Sequence, residues 1–531
     1  MVALARSHAV GDIPRRTAAR VPHKTAIING DVRLTFAELD RAVDATAAAM
    51  AAAGLAKGDR LAILSHNCWQ FPVLSFATAR LGVLLVPINF MLGAGEIAFI
   101  LEHSEASAFV VEDALLPTAL EAMADLPKPI DVRAVIPMTG APASEGWTDV
   151  DSWTRGDATP PSVLVGDDDP LRLMYTSGTE SRPKGALLSS RSLMWQFVSC
   201  IIDGGMSADD VDLHTLPLYH CAQLDCFLGP DVYLGATSVI LPGPVPEDVL
   251  RTMQSEGVTK FFAPPTVWIS LLRSPHFAGT DLSRLAKGYY GASAMPVEVL
   301  REIQATLPHL RLWNFYGQTE MAPLATILCP DEQMSHAGSA GRPACNVETL
   351  IVDDDDVPVP ARTVGEIVHR SPQATLGYFK DDEKTAESFR NGWFHTGDLG
   401  YFDDERRLYV VDRKKDMIKT GGENVASREV EEAIYLLDGV AEVAVFSVPH
   451  PVWVEAVTAV VVPKPGATLT SDAVVQHARS VLAGFKTPKV VIITDHLPKN
   501  PSGKILKREL RAQYADAGQD QRAPRAASIQ Q

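Results

Sequence analysis

Apolar residues recur along this chain in two alternating rhythms, one with a helical period and one with a strand period. Residues 34–53 are alanine-rich and end at Gly54, which predicts a helix closed by a glycine. Residues 60–64 predict a short apolar strand, 71–81 a second helix and 83–86 the next strand. Pro87 marks the end of that strand, because proline cannot donate to a central ladder. Such alternation predicts parallel sheets covered by helices, an α/β fold. From Val347 the texture changes to strands at 348–352, 365–369 and 408–411, a meander with acidic turns. After Asp412 comes the basic run Arg413-Lys414-Lys415, then a helical period over 427–437 and valine-rich strands at 443–448 and 456–462. A helix at 472–482 and a strand at 490–494 complete a small α+β unit. From Gln513 onward the Ala/Gln/Arg-rich tail is expected to fray.

Length turns these elements into domains. A chain of 531 residues exceeds one compact core, so two or more domains are expected, with a boundary at 412–416. The formal charge of −17 repels phosphate backbones and anionic lipid, which argues against nucleic-acid and membrane-surface partners. Any bound polyanion must meet a local positive site. The most apolar stretch, 71–92, is interrupted by Arg80, Pro87 and Asn89 and reads as a buried helix and strand, with no membrane span. The N-terminal arginines lack the apolar run of a secretory leader, and Asp12 weakens a transit-peptide reading. Six scattered cysteines without zinc spacing suit reduced thiols and a cytoplasmic location. The acidic run 353–356 reads as a solvated turn, because no calcium-loop pattern follows it.

The first segment with chemistry in it runs from Met174 to Leu188. A strand ends in Thr176-Ser177-Gly178-Thr179, and Lys184-Gly185 begins another. Backbone N–H groups of such a loop converge on phosphate oxygens, the hydroxyls donate as well, and Lys184 brings a positive charge. It is not a Walker loop, since a strand follows and the spacing to the lysine differs.

This loop resembles the signature of the adenylate-forming superfamily of acyl-CoA synthetases, adenylation domains and luciferases. The likeness continues in order through Asn314-Phe-Tyr-Gly-Gln-Thr-Glu320, Trp393-Phe-His-Thr-Gly-Asp398, Asp412 to Asn424, and Pro498-Lys-Asn-Pro-Ser-Gly-Lys504. The resemblance implies a large N-terminal domain over 1–412, with β-sheets flanked by helices and a small β-barrel-like subdomain. It also implies a hinge at 413–415, a mobile smaller α+β C-terminal domain over 416–515, and a disordered tail at 516–531. The implied reaction is ATP-driven formation of an acyl-adenylate followed by thioester formation with coenzyme A. Its partners are a carboxylic acid or its adenylate and CoA, and homodimerisation stays open.

Roles carry over residue by residue. Thr176, Ser177, Gly178, Thr179 and Lys184 would hold phosphates. Tyr316 would offer a face to adenine, with Gly291, Ala292 and Ser293 as the opposite wall and Gly317 and Thr319 beside it. Asp398 would accept from the ribose hydroxyls, with Arg413 adding a contact. Glu320 would hold Mg2+ on the phosphates. Lys504 would bridge the carboxylate and the α-phosphate, two anions that otherwise repel. Lys415 matches the hinge residue, and rotation there would withdraw Lys504 and present Lys419, with Gly421 and Gly422 lining a pantetheine tunnel. His220 resembles a position beside the acyl pocket, which also takes in Gly291 and Gly317. The pocket walls at 195–200, 220–227, 264–269 and 317–322 carry Trp, Phe, Val, Met and Ala, which suggests an apolar acid.

One departure stands out. Glu180 and Ser181 occupy positions where Thr and Gly are usual, placing a carboxylate near a triphosphate and stiffening the loop. Either Glu180 turns to solvent or to Arg182 and both half-reactions survive, or adenylation is weakened and the protein mainly thioesterifies an adenylate made elsewhere. Loading of a carrier protein and a silent acid- or nucleotide-binding relative are the other readings.

Overall fold

The structure, a computed structural model, describes residues 5–6, 8–140, 145–176, 183–291, 293, 295–500 and 503–518. Among these residues the strands form four sheets. A seven-stranded sheet has Arg60–Leu64 at its centre, with Leu84–Ile88 and Ala108–Glu112 parallel on either side. Its far edge is the antiparallel pair Pro170–Thr176 and Lys184–Ser189. A nine-stranded sheet runs parallel through Lys287–Gly291 and Arg311–Gly317 and turns antiparallel at both ends.

Helices fill the space between and outside these sheets. Helix Phe36–Ala52 starts two residues after the expected Leu34, because Thr35 accepts from the Glu38 N–H while Glu38 reaches back to the Thr35 N–H. Helix Gln70–Leu81 is buried at all twelve positions, Arg80 included, and ends at Gly82 with φ 68°. Arg80 is tolerated there because Asp40, Asp44 and the Gly11 carbonyl take its donors.

Pro87 does not end its strand. It lies inside Leu84–Ile88, paired with Ile63. The ladder to the neighbour on the other side is registered only at Leu85 with Arg172, so further along that side a missing donor leaves no gap.

The C-terminal part of the chain has two smaller sheets. In the first, strand Trp393–Phe402 is flanked by Gly365–Arg370 and Leu408–Arg413, all antiparallel. In the second, Val440–His450 and Val454–Pro463 form a long antiparallel pair, with Val490–Ile493 added parallel. Helices Ser427–Tyr435 and Ser471–Val481 pack on its valine face. The acidic run 353–356 is a turn whose Asp353 side chain accepts from the Asp355 and Val357 N–H groups.

Candidate active site

The site lies where strands Lys287–Gly291 and Arg311–Gly317 end. The two strands pair up to Gly291 and Phe315. A Cβ on Gly291 would lie 2.5 Å from the Phe315 carbonyl oxygen, and one on Gly317 would lie 1.8 Å from that of Pro323. Both positions therefore require glycine for close backbone approach. Beneath Gly291 the aromatic rings of Phe262, Phe227 and Phe315 stack, with centroids 4.5 and 5.6 Å apart. That layer is an apolar floor.

Tyr316 projects from the second strand and donates its hydroxyl hydrogen to Asp398 Oδ2 at 2.7 Å. Gln318 Nε2 donates to the same carboxylate oxygen at 2.8 Å and to the Tyr316 hydroxyl at 2.8 Å. Burial, and then the Asp398 charge, push the Tyr316 phenol well above its ordinary range. Asp398 is presented by strand Trp393–Phe402, directly across from Arg413 on the next strand, whose Nε lies 3.3 Å from Asp398 Oδ1. Both Asp398 oxygens thus face donors, the geometry a diol's two hydroxyls would also meet.

Glu320 sits on the short turn Thr319–Met321. Its Oε1 accepts from the Tyr378 hydroxyl at 2.8 Å, and its carbonyl accepts from the Thr375 N–H at 2.7 Å. Oε2 has no hydrogen-bond partner among the described residues and offers the hard oxygen that Mg2+ takes. Thr319 Oγ1 lies 3.4 Å from Cys221 Sγ, which ties this turn to the His220 segment. His220 Nδ1 accepts from the Ala222 N–H at 3.1 Å. Burial first, and then the charge of Lys504, lower its pKa to about 4, so it is neutral at pH 7.

Lys504 comes from the far end of the chain. Its loop is seated on helix Pro265–Leu272, where Thr266 Oγ1 donates to the Gly503 carbonyl at 3.1 Å. Gly503 has φ 78°, and a Cβ there would meet Thr266 and Pro264 within 2.7 Å. The lysine keeps an open face to solvent, through which a phosphate can reach it. The positive charge of Arg413 first, and burial second, lower its pKa to about 8, while Asp398 and Asp416 pull the other way. Lys504, Arg413, Asp398 and His220 therefore share one cleft.

Other sequence-derived candidates are placed as follows. Thr176 pairs with Lys184 where strands Pro170–Thr176 and Lys184–Ser189 meet the loop between them. Ser177, Gly178, Thr179, Glu180, Ser181 and Ala292 lie outside the described residues, and Ser293 is exposed. Lys415 sits in the turn after Arg413, whose carbonyl accepts from the Asp416 and Met417 N–H groups. Lys419, Gly421 and Gly422 are not brought to the cleft. Gly421 lines a groove of the C-terminal sheet with Thr420, Trp453, Phe485 and Lys489, and its N–H donates to the Trp453 carbonyl, while Lys419 lies on strand Ile418–Thr420 beside it. Trp195, assigned to a pocket wall, stands 42% exposed on its helix.

Gln318, expected only within the pocket-wall segment 317–322, instead donates to Asp398 and Tyr316, and Tyr378 belongs to no local sequence pattern at all. A cluster of Asp212, His214 and Asp231 also has ligand-like spacing, fully buried. Lys260 already supplies a cation there, with Nζ 3.3 Å from Asp212 Oδ2 and in contact with Asp231.

The sequence matches the family model described as AMP-binding enzyme over residues 14–379, and that of the AMP-binding enzyme C-terminal domain over 429–504. It is 36% identical to a feruloyl-CoA synthase of an Amycolatopsis species, covering 96% of this chain and all of that protein. It is 35% identical to the indoleacetate–CoA ligase of Aromatoleum aromaticum, covering 93% of this chain and 96% of the relative. Among solved structures it is similar to the anthranilate CoA ligase AuaEII in complex with anthranoyl-AMP. That likeness has 25% identity and a TM-score of 0.90, and covers 98% of this chain and 100% of the other.

Proposed function

The chain belongs to the AMP-binding enzyme family and is an AMP-forming carboxylate–CoA ligase, and from that premise we propose that it takes an apolar organic or fatty acid through both half-reactions itself. The observation that carries this reading is the convergence of Lys504 with Asp398, Arg413 and His220 in one cleft.

In the first half, Asp398 and Tyr316 hold the ribose and adenine of ATP, and Lys504 bridges the substrate carboxylate and the α-phosphate. Its ammonium offsets charge on the pentacovalent phosphorus, and alignment removes much of the entropic barrier. Glu320 would hold Mg2+, which would neutralise phosphate charge. The neutral His220 leaves the carboxylate path without a competing cation. In the second half, the C-terminal domain turns about Lys415, Lys504 withdraws, and Lys419 with Gly421 and Gly422 lines the approach of CoA. The adenylate stays enclosed between steps, away from water. The stacked Phe227, Phe262 and Phe315 under Gly291 favour an apolar acid. The two relatives named for feruloyl and indoleacetate substrates are consistent with that chemistry.

The test is release of AMP and pyrophosphate across a panel of aromatic, aliphatic and polycyclic acids, with and without CoA. A parallel arm supplies synthetic acyl-adenylates. Pyrophosphate from an acid together with thioester in both arms supports the complete ligase. Thioester from adenylates without pyrophosphate from any acid overturns it in favour of a thioesterifying enzyme limited by Glu180 and Ser181.

A further inference from the structure

The orientation that brings Lys504 into the cleft is held at one conspicuous point away from the chemistry. Arg428, the second residue of helix Ser427–Tyr435, reaches out of the C-terminal unit. Its Nη1 donates to the Val410 carbonyl at 2.8 Å and its Nη2 to the Gly338 carbonyl at 3.0 Å. Val410 lies on strand Leu408–Arg413 and Gly338 on the loop before Arg342–Pro343, both upstream of the Lys415 turn. Beside it the Ser427 N–H donates to Asp412 Oδ2 at 2.6 Å, placing a carboxylate at the N-terminus of the same helix. No side chain of the helix's own segment caps that end, so the cap comes from across the boundary.

The helix is linked in turn to the lysine loop. Lys507, three residues after Lys504, donates to Ser427 Oγ at 2.8 Å and pairs with Glu431 at 2.8 Å. A displacement of the helix start is therefore transmitted to the segment that carries Lys504.

We propose that Arg428 is a positioning residue for adenylation: its fork on the Val410 and Gly338 carbonyls latches the C-terminal domain in the orientation that presents Lys504. The latch must open before the thioester step. The inference rests on the domain alternation proposed above. Two charge-assisted hydrogen bonds made in only one of two orientations bias the population toward that orientation, which is what a latch requires. Lysine cannot reproduce the fork, since its point charge reaches one carbonyl at a time.

The experiment compares wild type with Arg428→Ala, Arg428→Lys and Glu432→Gln. The last removes only the intrahelical partner of Arg428, at 3.0 Å. Initial rates of pyrophosphate release are measured beside thioester formation from supplied acyl-adenylate. Limited trypsin cleavage at 413–415 is followed without any substrate. In Arg428→Ala, adenylation is expected to fall about tenfold or more with the KM for ATP changed less than twofold. Thioester formation should hold at the wild-type rate or rise, and cleavage at 413–415 should accelerate. Arg428→Lys should recover part of the loss, and Glu432→Gln should match wild type. Equal loss in both half-reactions, or adenylation and cleavage both unchanged, would overturn the proposal. If the wild type makes neither product, the ligase reading fails, and the cleavage rates still decide whether Arg428 latches.

Discussion

The Tyr316 hydroxyl and the Asp398 carboxylate meet at 2.7 Å and tie a strand of the nine-stranded sheet to a strand of the smaller antiparallel sheet. The bond fixes the spacing between the proposed adenine wall and the proposed ribose acceptor. Gln318 donates to both members, so the contact is a three-residue unit.

Tyr316→Phe keeps the ring and removes the donor. A hydrogen bond to a charged group contributes about 1.5–3 kcal/mol, so the KM for ATP should rise roughly tenfold. Initial-rate kinetics at saturating acid read this. An unchanged KM would mean that Gln318 alone positions the carboxylate.

Lys504→Ala should separate the half-reactions. Removing one preorganised donor costs about 3 kcal/mol in the transition state, a loss on the order of a hundredfold in pyrophosphate release. Thioester formation from supplied acyl-adenylate should stay near wild type. Equal damage to both steps would contradict a role confined to adenylation.

The pH profile carries the mark of Arg413. Lys504 has its pKa lowered to about 8, and its proposed role requires the ammonium, so kcat/KM for ATP should decline as pH rises through about 8. Arg413→Gln removes the first cause of the lowering and should move this limb upward. For folding the sign runs the other way. Between about 8 and the ordinary lysine value the unfolded chain holds the extra proton, so this group's contribution to stability rises with pH over that window. Titration of kcat/KM in both proteins is the check.

Gly317→Ala would drive a Cβ to 1.8 Å from the Pro323 carbonyl oxygen. Relief needs backbone movement, and overpacking of this kind costs about 1–3 kcal/mol or more. The variant should unfold earlier in denaturant and lose ATP affinity at once. Normal stability would show that the 317–323 turn relaxes freely.

Restoring the usual loop residues with Glu180→Thr and Ser181→Gly tests the departure directly. Under the complete-ligase reading pyrophosphate release should change by no more than about threefold, the scale of a single glycine effect. A gain of two orders of magnitude would mean that the native loop throttles adenylation.

Much of the architecture was legible because its signals are local. The αβ alternation of the first half, the alanine-rich helix that stops before Gly54 and the valine pairs after residue 440 all follow from periods and stops. The motifs named residues in order along the chain, but their distances are a property of the fold. Tyr378 reaches Glu320 across 58 positions of sequence, and Thr266 seats Gly503 across 237. Neither contact leaves a periodic trace. Pro87 misled because a proline's cost depends on whether a neighbour needs its N–H, and that is decided by a strand eighty residues downstream.

The pairing of strand Thr25–Asn29 with Thr237–Ile240 has a further consequence. The first strand of the nine-stranded sheet leaves the ribosome long before its parallel neighbour exists. At ordinary translation speeds the gap of some two hundred residues lasts roughly 10–40 s, during which an apolar strand edge stays unsatisfied. Synthesis of this protein should therefore depend on holding chaperones more than its mature stability would suggest, and pausing between these strands should lower its yield without touching any residue of the site.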